Sequence, residues 1–150
     1  FLTEEFYYMG FVPYLGFIIT LASAYRLAKF NIDTRQTDSF IGLPTPANAL
    51  LIMSIPMIQY AGTHEWLVEA LYNPFILLAI TILSAYMLNA EIPLFSLKMK
   101  DFSWEKNKLQ VIFLALSVVL LFLIGFTALP VIILLYVALS VINNTVLAKK

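Results

Sequence analysis

The placement of charge constrains this chain more than any other feature: residues 6–25, 39–64, 70–90 and 109–148 contain no Asp, Glu, Lys or Arg. As a helix rising about 1.5 Å per residue, each run is long enough to cross roughly 30 Å of hydrocarbon. The last is about twice the needed length and is interrupted by Gly125-Phe126-Thr127-Ala128-Leu129-Pro130, which predicts a helical hairpin turning there. Apolarity on all sides, without period-two alternation, favours helices over an outer-membrane barrel. The expectation is therefore an all-α polytopic membrane helix bundle of about five transmembrane helices, over 6–28, 45–63, 71–91, 108–126 and 129–148. Pro13 and Pro56 fall in or near two of these spans and predict kinks or delayed starts.

Composition supports the same expectation. Hydrophobic residues make up 61% of the 150 positions and charged residues 12%, roughly half the charged share of a soluble domain. That apolar excess is more than a core of this size can bury. Nine basic and nine acidic side chains balance, which removes the electrostatic case for nucleic-acid binding. Cysteine is absent, so disulfides, thiolate nucleophiles and cysteine zinc sites are excluded. The single histidine, His64, stands beside Glu65 in an expected outer loop and is a poor metal signal. No Gly-rich phosphate loop, nucleophile elbow or HExxH motif occurs.

Every basic residue follows the first, third or fifth expected span: Arg26, Lys29 and Arg35, then Lys98, Lys100, Lys106 and Lys108, then Lys149 and Lys150. The opposite segments carry only Glu4, Glu5, Glu65 and Glu69 as charges. The positive-inside rule then places the amino end outside and the carboxyl end in the cytoplasm. Phe6, Tyr7, Tyr8, Tyr60, Trp66, Tyr72 and Trp104 lie near span ends, as interfacial anchors do.

Two cytoplasmic loops could carry chemistry. In the first, Arg26 and Lys29 are one turn apart and share a helix face. Across the loop, Thr45-Pro46 has the form of an N-cap followed by a first-turn proline. Two cations beside a helix amino terminus make a corner for a lipid phosphate, a diphosphate or a small carboxylate. The same residues also fit a plainer reading, in which the cations snorkel and set topology, Thr45 only caps and Gly42 only turns. In the second loop, residues 89–100, Glu91 fits two readings, pairing with a basic residue of either loop or simple solvation, and the lysines suit anionic headgroups.

At these loops the sequence resembles the CDP-alcohol phosphatidyltransferase family, in its serine-specific branch. The resemblance rests on Arg26-Leu27-Ala28-Lys29-Phe30-Asn31, on Phe40-Ile41-Gly42-Leu43-Pro44-Thr45-Pro46-Ala47, and on Ile92-Pro93-Leu94-Phe95-Ser96-Leu97-Lys98. Lys29 stands where the family commonly has arginine, which keeps the cation and loses the bidentate fork. The resemblance implies transfer of a phosphatidyl group from CDP-diacylglycerol to L-serine with release of CMP, in the bacterial cytoplasmic membrane. It also implies a divalent metal (Mg2+ or Mn2+), substrate-binding roles for Arg26, Lys29, Asn31, Gly42 and Thr45, and membrane lipids as surroundings. Ala24 and Ala28 offer small residues for a homodimer.

The family's D-x-x-D-G-x-x-A-R and G-x-x-x-D-x-x-x-D signature is absent, and Asp33, Asp38 and Asp101 do not have its spacing. The expectation is a single-domain fragment, 1–150, that lacks the upstream metal-binding and catalytic residues and is inactive alone. Three alternatives remain open: an acceptor such as glycerol phosphate or inositol phosphate, part of a transporter, or an anchoring subunit. A transporter core calls for polar groups or broken helices at mid-membrane; here the charges sit toward span ends.

Overall fold

The computed structural model describes residues 10–32, 39–62, 64–95 and 104–147. A 3-10 turn over Val12–Gly16 holds Pro13 near its start and delays helix α1 to Phe17–Ile32. Strand β1 (Ser39–Ile41), helices α2 (Thr45–Ala61), α3 (Glu65–Tyr72) and α4 (Pro74–Asn89), and strand β2 (Pro93–Phe95) follow. Helices α5 (Trp104–Ile124) and α6 (Ala128–Leu147) flank a second 3-10 turn, Gly125–Thr127. The chain reverses at that turn, bringing the Phe113 and Tyr136 rings to 5.7 Å.

The five-span bundle is not what forms. Among the described residues, one stretch is long and apolar enough to cross a membrane, Asn107–Asn144 with 38 residues; a second passes only if the pair α3 and α4, bent by 79°, counts as one. Helices α1, α2 and α4 have 16, 17 and 16 residues, short of the roughly 20 that a span needs. The physical reason is that a charge-free run is not a helix of equal length. In residues 39–64 the first six positions go to β1 and a turn. Gly62, at φ 62°, then ends α2 by donating its N–H to Ile58 O at 3.1 Å. In residues 70–90 the run is cut at Asn73, whose Oδ1 accepts from the Phe75 N–H at 2.9 Å, and restarts at Pro74. Pro56 lies inside α2 without ending it.

A purely helical fold is also amended by a two-stranded antiparallel ribbon, in which Ser39, Phe40 and Ile41 face Phe95, Leu94 and Pro93. Leu43, Leu94 and Phe95 from the ribbon and its turn meet Phe113, Ile133 and Tyr136 in one buried cluster. The Phe95 ring stands edge-on to Tyr136 at 4.9 Å and to Phe113 at 5.9 Å, a favoured aromatic geometry. A second cluster, Ile55, Ile58 and Leu71, joins α2 to α3.

Between β1 and α2 the chain runs through Gly42, in the left-handed region at φ 76°. A Cβ there would sit 2.6 Å from Leu88 O, closer than van der Waals contact allows. The approach lets the Gly42 N–H donate to Ile92 O at 2.9 Å and the Leu43 N–H donate to Met87 O at 2.8 Å. Gly42→Ala is expected to destabilise the fold by about 2 kcal/mol or more, through backbone strain and this clash. Gly16→Ala, in open space, should leave the thermal midpoint nearly unchanged. Equal midpoints for the two variants would refute the close-approach role.

Candidate functional site

Helix α1 presents Arg26 inward toward the Gly42 turn, where it is 9% exposed. Its Nη2 donates to Gly42 O at 3.3 Å. Among the described residues no carboxylate meets this guanidinium, and a cation that stays protonated at any ordinary pH is held in a largely buried place against the Gly42 carbonyl. One turn later, Lys29 Nζ makes an ion pair with Glu91 Oε1 at 3.1 Å, with the two side chains 29% and 68% exposed. The structure therefore brings together three segments that are far apart in sequence: 26–31, 40–47 and 91–95.

The five expected substrate-binding residues do not all occupy equivalent positions. Arg26 and Lys29 lie side by side near Ile41, Leu88 and Asn89 around a small cavity. Asn31 is exposed in the last turn of α1. Gly42 is buried, with its N–H and C=O both bonded within the chain. Thr45 is half-buried, and it does not cap: Pro44 holds the cap position without a side-chain bond, and Thr45 is the first helical residue. Pro44 takes the extended backbone instead, at ψ 135°, and Asn48 N–H closes the first turn on Pro44 O at 3.0 Å.

Several expectations fall on residues outside those described: Arg35, Lys98, Lys100, Lys149 and Lys150, the aspartates 33, 38 and 101, the aromatics 6–8, and positions 96–98 of the third motif. The Trp104 and Lys106 side chains also lie outside them. Of the other aromatic anchors, Tyr60, Trp66 and Tyr72 are exposed, by 96%, 71% and 48%. His64 is exposed beside α3. Among the described residues no group of three or more His, Cys, Asp or Glu is placed to hold a metal ion; these residues do not fit the divalent cation that the resemblance implies.

Sequence reasoning missed the polar face that fixes the second loop. Tyr136, Ser140 and Asn144, spaced i, i+4 and i+8 on α6, all reach β2. Tyr136 Oη donates to Phe95 O at 2.7 Å, Ser140 Oγ accepts from the Phe95 N–H at 3.4 Å, and Asn144 Nδ2 donates to Pro93 O. Helix α6 is thus more than the apolar scaffold its composition suggests. The spacing was the available signal, hidden because each residue reads singly as an isolated polar group in an apolar run. Ser84 Oγ likewise donates to Asn48 Oδ1 at 2.6 Å between α4 and α2, with both residues 2% exposed.

No family model matches the chain, and no curated protein or solved structure matches it either. The resemblance is therefore not carried by the chain as a whole, and it stands on the three short segments alone.

Tyr136→Phe, which leaves the buried Phe95 carbonyl without its donor, is expected to lower unfolding free energy by about 1–3 kcal/mol. Glu91→Gln should cost less than about 1 kcal/mol, as exposed ion pairs do. Chemical denaturation of the two variants checks the ranking, and the reverse order would contradict this account of what holds the second loop.

Proposed function

We propose that this chain forms the acceptor side of an enzyme that transfers a phosphatidyl group from CDP-diacylglycerol to L-serine, giving phosphatidylserine and CMP. The observation that supports this reading is the buried guanidinium of Arg26, held against the Gly42 turn with no carboxylate partner among the described residues. A buried cation lacking a counter-ion is costly unless something of opposite charge approaches it, and the serine carboxylate or a donor phosphate would do so. Lys29 adds a second cation on the same face, shared with Glu91, and Asn31 at the helix end offers a neutral hydrogen bond. The amino terminus of α2 follows the Gly42 turn and adds the positive end of its dipole.

In this reading Arg26 orients the anionic part of the bound molecule, and the long apolar hairpin brings the protein to the lipid donor. Within Asn107–Asn144, an apolar window of 18 residues is only 11% buried, which is unlike the core helix of a water-soluble domain. The proposed location is the bacterial cytoplasmic membrane, with the basic loops on the cytoplasmic side. The reaction also calls for a divalent metal, for which the described residues supply no ligand set, and for a base to take the serine hydroxyl proton. A homodimer packed through the exposed Ala24 and Ala28 of α1 belongs to the same proposal.

The test is CMP release from CDP-diacylglycerol by the intact protein with divalent metal and one acceptor at a time. Serine-dependent release is expected, and Arg26→Lys should lower kcat/KM for serine by more than about tenfold, the scale of one charge-assisted hydrogen bond. Release with glycerol phosphate or inositol phosphate instead would change the acceptor. No release with any acceptor, from folded protein, would overturn the reading.

A further inference from the structure

The corner around Gly42 carries charges of both signs. Glu91 stands in the short link between α4 and β2, and the residues on either side of it lie against the glycine turn. Ile92 O accepts from the Gly42 N–H at 2.9 Å, and Ala90 O is 3.0 Å from the place a Gly42 Cβ would take. The backbone is thus held on both sides of Glu91, and its Oε1 meets Lys29 Nζ at 3.1 Å, from a residue 62 positions away in sequence. Arg26, one turn earlier on α1, donates to the Gly42 carbonyl at 3.3 Å. Two cations and one carboxylate therefore surround one turn.

An ion pair this exposed contributes little to stability, but it changes what the corner attracts. The Glu91 carboxylate offsets one of the two cations that an anion would meet. A phosphate-bearing acceptor brings about −1.5 to −2 of charge and faces that carboxylate as a like charge. An α-amino acid carries both signs, on groups bonded to one carbon. Laid antiparallel to the ion pair, its carboxylate takes a charge-assisted hydrogen bond from Lys29 Nζ, and its ammonium group donates one to the Glu91 carboxylate. Each of the four charges then has a neighbour of opposite sign on either side. Lys29 is 29% exposed and Glu91 68%, so both heads are open to a second partner while their own bond persists. Buried Arg26 stays behind them as a fixed positive charge.

We propose that the Lys29–Glu91 pair recognises a zwitterionic α-amino acid, with Glu91 binding its ammonium group, and that Glu91 is the residue that selects such an acceptor over a phosphate-bearing alcohol. The proposal rests on the reading of this corner as the acceptor side, and it adds the group that decides which acceptor enters.

The experiment is titration calorimetry on the intact protein with three probes, run beside CMP release with serine. The probes are L-serine, 3-hydroxypropionate, which is serine without its ammonium group, and ethanolamine, which is serine without its carboxylate. Serine is expected to bind at least about tenfold more tightly than either truncated probe, the scale of one charge-assisted hydrogen bond. Glu91→Gln keeps the shape and loses the charge. It should weaken serine binding by about tenfold and leave 3-hydroxypropionate unchanged or tighter, because the like charge facing a carboxylate is gone. A Glu91 that only ties α1 to the link would weaken both probes alike; that result, or unaltered serine affinity in Glu91→Gln, would overturn the proposal. Failure of the transfer reading looks different. The expected three-probe pattern without CMP release supports zwitterion recognition and overturns the reaction, whereas serine-dependent release that Glu91→Gln leaves unchanged keeps the reaction and overturns this proposal. Absence of serine binding to the folded protein overturns it as well.

Discussion

The fold depends on one close approach of backbone to backbone at Gly42. Without a side chain, and with φ at 76°, the residue rests against the carboxyl end of α4, where a Cβ would meet Leu88 O at 2.6 Å and Ala90 O at 3.0 Å. From that contact follow the bond to Ile92 O, which starts the ribbon, and the seating of Leu43 in the core at 2% exposure. The Gly42 carbonyl is then turned toward α1, where it takes the bond from Arg26. One glycine thus sets the relation of α1, the ribbon and α4, and the site exists only because those elements converge there.

The second support is α6. Its three polar side chains hold β2 from the side opposite the turn, and its aromatic contacts anchor the ribbon in the core through Phe95. This arrangement gives an apolar hairpin a polar seam at one end. It also explains why the second loop, mixed in composition, has a defined path near Glu91, within reach of Lys29.

Some of this was legible in the sequence. The reversal near Gly125 was visible because Gly125 and Pro130 interrupt an uncharged run too long for one span, and a basic partner was one of two readings open for Glu91, the other being a solvated carboxylate. The number of spanning segments was not, because charge-free length was read as helical length. Gly62, Asn73-Pro74 and the Gly42 turn consumed residues that no charge marked. The ribbon was hidden for a related reason: three-residue strands carry too little alternation to register, and their pairing is set by tertiary contact. Thr45 looked like a cap by type and spacing, yet the extended backbone at Pro44 moved the cap by one residue.

Convergence at the Gly42 turn is the central claim, and disulfide trapping across the ribbon tests it most directly in a chain without cysteine. Ile41 and Pro93 are direct cross-strand partners, at a separation of about 4.5–5.5 Å that suits a disulfide. The double substitution Ile41→Cys with Pro93→Cys should close on mild oxidation, whereas Ile41→Cys with Phe95→Cys, two residues out of register, should remain reduced. Failure of the first pair to close, or equal closure of both, would contradict the arrangement on which the site is built.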